Sequence, residues 1–200
     1  AETLKTYSDY TFDYPYNKAV SVHAAQNGME YPMICFNFGR PNIDGSYSDR
    51  VKFGMIGVIV HEIGHNFFPM IVNSDERQWA WMDEGINTFI QYIAEQKLGE
   101  DYPDMIYPLE NFPSDRGPAE LIVPYMSINQ NLLSPIMSNP ENIYNLGPNA
   151  YGKPAAALNI LRETIMGKEL FDFAFKTYSK RWKFKHPNPE DFFRTMEDAS

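Results

Sequence analysis

The chain has 200 residues, of which 44% are hydrophobic and 22% charged, as in a folded domain with a sizeable core and unlike a disordered chain. Its formal net charge of −9 comes without any run of Lys or Arg, which disfavours a nucleic-acid partner. Cys35 is the only cysteine, so no internal disulfide can form, and the apolar run Met55 to Val60 is far too short for a transmembrane segment.

The N-terminal part of the chain predicts one short helix followed by strands. Glu2 to about Thr11 has helical spacing, whereas Lys18 to Ala24 alternates loosely as a strand does. A turn is predicted at 26–28, and Tyr31 to Phe38 is rich in residues that favour strands. The chain has no initiator Met and begins within what looks like a helix, so we expect an excised domain or a mature fragment.

A longer helix is predicted next. Ser48 or Asp49 is a suitable N-cap, and Pro69 predicts an end near Phe67 because the residue before a proline avoids helical geometry. Three glycines fall near one face of this helix, at positions 54, 57 and 64. Each costs about 1 kcal/mol relative to Ala in a helix, so their presence predicts close approach by another backbone or by a substrate.

The same helix carries the sequence HEIGH at positions 61–65. Residues four apart lie on one face of a helix, so His61 and His65 can bind one metal ion while Glu62 points toward a water on that metal. The H-E-x-x-H pattern is typical of zinc peptidases, whose catalytic ion takes three protein ligands. Glu84, 19 residues after His65, is the candidate third ligand. An isolated Asp-Glu pair would be better explained as complementing the dipole of a helix N-terminus, but H-E-x-x-H upstream at this spacing favours Glu84 as the ligand. Asp83 is interpreted as a cap or a support for the ligands.

The remainder of the chain predicts mainly helices. The first runs from Asp83 to Leu98 with Gly99 as its C-terminal cap, and prolines then predict a loop from Glu100 to Ala119. Leu121 to Met137 is predicted to be partly helical. Three later helices are expected at about 155–166, 169–182 and 189–198, with a break at Gly167. Strands first and helices later predict an α+β domain.

The sequence resembles the gluzincin zinc aminopeptidases of the aminopeptidase N and leukotriene-hydrolase type, whose mark is H-E-x-x-H followed by a glutamate at the spacing of Glu84. Two further family motifs have counterparts here. The G-x-M-E-N segment corresponds to NGMEYP at 27–32, and the segment with tyrosine and lysine two residues apart corresponds to YGKP at 151–154. The three motifs occur in the family's order. Tyr31 stands where the family often has Asn.

The resemblance implies a fold, a cofactor and a set of roles. The fold would be a single thermolysin-like domain over 1–200, with a sheet-containing N-lobe to about residue 68 and a helical C-lobe over about 69–200. One Zn²⁺ per chain would be bound by His61, His65 and Glu84. Glu62 would be the general base, and Tyr151 would donate a hydrogen bond to the oxyanion. The resemblance places the substrate at Gly28, Met29 and Glu30. The backbone of the first two would pair with the peptide, and Glu30 would bind its free α-ammonium group.

The implied activity is hydrolysis of N-terminal residues from peptides. Two alternatives stay open: a related zinc hydrolase acting on an epoxide or an internal peptide bond, and a non-catalytic, metal-stabilised binding module. The family's flanking N-terminal β-domain and C-terminal helical domain are missing from these 200 residues, so we expect them in a full-length protein. By resemblance, the location is expected to be outside the cytoplasm of a bacterium.

Overall fold

A small mixed sheet and a set of helices make up residues 1–25, 28–106 and 129–200, the part of the chain that this computed structural model describes. The strands are β1 (Val20–His23), β2 (Met29–Tyr31) and β3 (Ile34–Asn37). Their order in the sheet is β1-β3-β2, with β1 parallel and β2 antiparallel to β3. β2 therefore lies at one edge of this sheet.

The predicted strand from Tyr31 to Phe38 is wrong in its first part. A turn at Pro32 and Met33 divides this stretch, so that Tyr31 ends β2 and Ile34 begins β3. Proline pre-sets its own backbone for the first central position of a turn, and Met33 takes the left-handed region with φ 64°. In this hairpin Glu30, on the edge strand β2, lies opposite Cys35 of β3.

Six α-helices follow one another along the described chain. Their bounds are α1 Glu2–Tyr10, α2 Asp49–Gly64, α3 Ile86–Asp101, α4 Lys153–Ile160, α5 Lys168–Trp182 and α6 Pro189–Ala199. π-Helical turns at Trp81–Gly85, Pro148–Gly152 and Leu161–Ile165 adjoin α3 and α4. The predicted cap at Ser48 is confirmed, since its side chain accepts a backbone N–H of α2, and the side chain of Asn188 caps α6 in the same way.

Two predicted helix ends differ from the structure. The metal-motif helix ends at Gly64, before Phe67, and irregular turns lead on to Pro69. Gly99 is not a C-terminal cap, because α3 continues to Asp101 and stops only two residues before Pro103. A Cβ at position 99 would lie 3.3 Å from the Ile106 side chain, so the glycine there gives room to a neighbouring segment.

The prediction that glycines on α2 allow close approach by another backbone or a substrate is only partly right. A Cβ at Gly64 would overlap with the hydroxyl of Tyr7 and the amide oxygen of Asn87, so the close neighbours are core side chains and not a backbone or a substrate. A Cβ at Gly54 would meet nothing within 4 Å. The face of α2 is therefore crowded at the end that carries the histidines and open at the other.

Aromatic side chains from α3, α5 and α6 form much of the core. Phe175 of α5 packs near Phe89 of α3 and Phe192 of α6, with ring centroids 5.8 and 6.5 Å apart. All three rings are almost fully buried. The small mixed sheet followed by helices confirms the predicted α+β class. The lobe boundary near residue 68 stays a prediction.

Some predictions fall outside the described residues. These are most of the proline-rich loop, the first eight residues of 121–137, and the first two residues of the turn at 26–28. Within the described residues, no helix is long and apolar enough to cross a membrane.

Candidate active site

Three predicted ligand atoms converge between α2 and the π-helical turn that precedes α3. His61 Nε2 lies 3.0 Å from His65 Nε2 and 3.0 Å from Glu84 Oε2. The second histidine's Nε2 is 3.2 Å from the same carboxylate oxygen. The helix places both imidazoles on one face, as their spacing predicts, and the π-helical turn directs the carboxylate of Glu84 onto them.

The other ring nitrogens fix how the two histidines are protonated. His61 Nδ1 lies 2.9 Å from the side-chain oxygen of Gln91, and His65 Nδ1 lies 2.8 Å from the carbonyl oxygen of Phe68. Both partners are acceptors, so each Nδ1 carries the proton and donates it. In the neutral rings both Nε2 atoms then present lone pairs toward each other and toward a carboxylate, an arrangement that favours an added proton or a metal cation between them.

The geometry and the donor types fit zinc. Ligand atoms about 2.0–2.1 Å from a tetrahedral ion are about 3.3 Å apart, close to the 3.0–3.2 Å observed. Two imidazole nitrogens and one carboxylate oxygen are also the donor set of many catalytic zinc sites, which keep a fourth position for water. His61, His65 and Glu84 could thus hold one zinc ion.

Charge around these ligands favours a cation as well. Burial alone would raise the pKa of Glu84, but hydrogen bonds from His61 and His65 outweigh it and hold that pKa well below its usual range. Burial would lower the pKa of His65, but Asp83 and Glu84 outweigh it and raise that pKa. Asp83 Oδ1 is 3.0 Å from His65 Nδ1 but outside hydrogen-bonding geometry, so Phe68 is the bonded partner.

Glu62 is buried beside the ligands. Its carboxylate lies in a group with Glu30 and His65, in which one ligand atom from each residue is within 4.8 Å of the other two. Burial raises the pKa of Glu62 to about 8; His65 opposes the rise and Glu30 adds to it. Its Oε1 is only 3.0 Å from the point where a Cβ on Gly28 would lie. Gly28, with φ 73°, therefore leaves the carboxylate room to move.

Glu30 and Met29 lie on the edge strand β2, next to the ligands. The outer edge of such a strand can pair with an extended peptide. Burial raises the pKa of Glu30, His65 lowers it and the nearby Glu84 raises it. Gly28 directly precedes β2, so the three residues for which the resemblance implies substrate binding are consecutive along this edge.

Tyr151 approaches the site from the π-helical turn Pro148–Gly152. Its ring stacks on His61, with centroids 5.6 Å apart and planes at 23°. Burial, aided by the charge of Glu84, raises the pKa of Tyr151 far above its ordinary value. The phenol therefore keeps its proton and can donate a hydrogen bond.

Two supporting residues were missed from the sequence. Gln91 orients His61, and Asn87 donates through Nδ2 to the backbone oxygen of His61 at 2.8 Å. Both are buried on α3. A signal was present: polar residues at positions 84, 87, 88 and 91 follow helical spacing among apolar neighbours.

Comparisons with known proteins agree with this geometry. The model of the "Peptidase family M1 domain" matches residues 1–200. Among curated proteins, the chain is 23% identical over 206 residues to "Aminopeptidase 2" of Candida albicans, covering 100% of this chain and 22% of that protein. It is 26% identical over 158 residues to "Probable aminopeptidase 1" of Sulfurisphaera tokodaii, covering 78% and 19%. The chain thus spans about a fifth of the length of these relatives.

Solved structures show the same fold. An M1 zinc metallopeptidase from Deinococcus radiodurans superposes with a TM-score of 0.69 at 17% identity, covering 98% of this chain and 39% of that one. Native yeast LTA4 hydrolase superposes with a TM-score of 0.67, also at 17% identity, covering 98% and 31%.

Proposed function

The chain belongs to peptidase family M1, and from this membership we propose that it is a zinc-dependent aminopeptidase domain that releases N-terminal residues from peptides. The observation that carries the proposal is the convergence of His61, His65 and Glu84 within 3.2 Å, next to the carboxylate of Glu62. A zinc ion held there would supply Lewis acidity and lower the pKa of a water from about 16 toward about 7.

Glu62 acts as the general base in this proposal. A dication at the three ligands lowers the pKa of a neighbouring carboxyl, so Glu62 is ionised at neutral pH although burial raises its pKa in the metal-free site. The carboxylate takes a proton from the attacking water and passes it to the leaving amine. The space beside Gly28 lets it move between the two positions.

Tyr151 stabilises the oxyanion. Its hydroxyl remains protonated because burial and Glu84 raise its pKa, and stacking on His61 holds the ring beside the ligand set. A donor fixed before the reaction stabilises developing charge without reorganisation. The backbone amide and carbonyl groups of β2 bind the peptide as an added strand.

Glu30 gives the enzyme its preference for a chain end. A half-buried carboxylate close to the ligands binds the α-ammonium group of a free amino terminus. A blocked terminus or an internal peptide bond leaves this carboxylate without its cation, which penalises such substrates. Peptides with a free N-terminus are therefore the proposed substrates.

A pair of peptides tests the proposal. The zinc-loaded protein should release the first residue of a short peptide with a free amino terminus and leave its N-acetylated form almost untouched. Equal cleavage of both peptides would remove Glu30 from its assigned role and favour a hydrolase that acts on internal bonds.

Glu62→Gln separates catalysis from binding. The variant should bind one zinc ion per chain and lose turnover by several orders of magnitude, because an amide cannot accept the proton. Unchanged function in the zinc-bound variant would instead support a non-catalytic, metal-stabilised module. Glu141→Gln, which removes one exposed carboxylate far along the chain, is the matched control.

We further propose that flanking domains complete the working protein, since the relatives are several times longer. Those domains would enclose the substrate cleft. An extracytoplasmic location stays a prediction of the resemblance, and fractionation of cells that express the protein tests it.

A further inference from the structure

The buried side chain of Asn66, the residue directly after His65, joins three separate segments of the chain. It is only 2% exposed, and its Nδ2 donates to the carbonyl oxygen of Ile63 at 3.0 Å. Its Oδ1 accepts from the backbone N–H of Met33 at 2.8 Å and from the hydroxyl of Tyr14 at 3.2 Å. One amide thus connects the C-terminal end of α2 with the turn between β2 and β3 and with the segment between α1 and β1.

The turn that Asn66 contacts depends on support from outside its own sequence. Met33 has φ 64°, a left-handed conformation that is unfavourable for a residue with a Cβ. Its carbonyl oxygen accepts from the backbone N–H of Val20 at 2.8 Å, and its own N–H donates to Asn66. β1 and Asn66 therefore hold both backbone polar groups of Met33. Without the contact to Asn66, only one of these two supports of the left-handed conformation would remain.

This turn determines where the proposed substrate strand lies. Met33 follows β2 in the same hairpin, three residues after Glu30. One carboxylate oxygen of Glu30 lies within 4.8 Å of a ligand atom of Glu62 and of one of His65. Because Asn66 directly follows His65, its bond from Met33 links the strand to the metal-binding side of the site over only a few residues. A strand that is fixed before the peptide arrives loses little freedom when the peptide binds.

We propose that Asn66 is a positioning residue: through Met33 it holds the edge strand β2 at a fixed distance from the residues proposed to bind zinc, so that the amino terminus and the scissile carbonyl of a peptide reach their partners together. The inference rests on the proposed function, in which β2 binds the peptide. The hydrogen bonds of the Asn66 side chain go to the protein itself. Its loss should therefore weaken peptide binding, seen in KM, and leave proton transfer and zinc content almost unchanged.

Asn66→Leu in the zinc-loaded protein tests the proposal, because leucine has a similar volume and its side chain forms no hydrogen bonds. KM for a short peptide with a free amino terminus should rise about tenfold, the typical contribution of one hydrogen bond, with kcat within about threefold. One zinc ion should still bind per chain. Tyr14→Phe is the matched control, since it removes one donor to Asn66 and keeps the bond from Met33. Its KM should stay within about twofold of the wild-type value.

Met33→Gly separates positioning from a general loss of packing. Glycine adopts φ 64° without steric cost, so the turn no longer needs the contact with Asn66. Added to Asn66→Leu, this change should bring KM most of the way back to the wild-type value, whereas alone it should alter KM by no more than about twofold. Three results would overturn the proposal: an unaltered KM in Asn66→Leu, a raised KM that Met33→Gly does not lower, or a fall in kcat with KM unchanged.

Amide hydrogen exchange at Met33, followed by NMR in the substrate-free protein, is a measurement that needs no activity. In the wild-type protein this amide should exchange at least about 100-fold more slowly than an exposed amide, and in Asn66→Leu about tenfold faster than in wild type. Wild-type exchange at the rate of an exposed amide would contradict the proposal, even if Asn66→Leu does not fold. If the protein cleaves no peptide while Asn66 protects the Met33 amide, the proposed function fails and the support of β2 by Asn66 stands.

Discussion

Gln91→Met should weaken zinc binding by about 10- to 100-fold, although Gln91 contacts no zinc. Its side-chain oxygen is the acceptor for His61 Nδ1 at 2.9 Å, and His61 is only 5% exposed. Methionine has a similar size but no comparable acceptor. When zinc fixes the orientation of the His61 ring, its buried Nδ1–H therefore has no hydrogen-bond acceptor. That costs about 1–3 kcal/mol, and 1.4 kcal/mol is a factor of ten in affinity. The metal-free ring can rotate to relieve this cost, so the penalty falls on the zinc-bound state.

Competition with a chromophoric chelator at fixed pH measures the affinity. Glu95→Gln is the matched control, because Gln91 Nε2 donates to Glu95 at 2.6 Å and an amide oxygen can still accept there. The control should stay within about twofold of wild type. An unchanged zinc affinity in folded Gln91→Met would refute the idea that this contact orients the ligand.

Three further changes test other parts of the structure. Tyr151→Phe should lower kcat about 10²- to 10³-fold with zinc content unchanged, as measured by steady-state peptide hydrolysis; full activity would exclude the oxyanion role. Gly28→Ala should destabilise the fold by about 1 kcal/mol or more because the backbone has φ 73°, and should lower kcat because the new Cβ would lie 3.0 Å from Glu62 Oε1. Unaltered kinetics would mean that Glu62 needs no such space. Phe175→Ala should reduce the free energy of unfolding, measured by urea denaturation, by about 3–5 kcal/mol. Phe173→Ala removes a ring that is 62% exposed and should change it little, so similar effects of the two substitutions would contradict the assigned core.

The residues proposed to hold zinc could be predicted because helix geometry makes their spacing meaningful. His61 and His65 are one turn apart, and Glu84 lies in the π-helical turn Trp81–Gly85 that begins the next helical segment. The supports of these residues were harder to predict. The partner of His61 Nδ1 is 30 positions away on α3, and that of His65 Nδ1 is a backbone carbonyl that any residue could supply. Such contacts depend on how two segments pack, which spacing within one segment does not determine.

The same limit applies to the secondary structure. Tyr31 to Phe38 has the composition of one strand, and only the backbone conformation of Met33 shows that it is a hairpin. Gly99 looks like a helix end, but its neighbour is Ile106, and α3 continues past it.

Gly64 shows how the fold itself arranges the residues proposed to bind zinc. Its missing side chain admits Tyr7, whose hydroxyl donates to Asn87 Oδ1 at 2.8 Å. Asn87 in turn donates to the carbonyl oxygen of His61 at 2.8 Å, so α1 and α3 together fix the turn of α2 that bears both histidines. The ligands are therefore positioned by buried contacts that need no metal. A zinc ion that binds only this folded arrangement would stabilise the fold by an amount that grows with the ratio of free zinc to its dissociation constant. Any change that loosens the contact from Tyr7 through Asn87 to His61 should reduce stability and zinc affinity together.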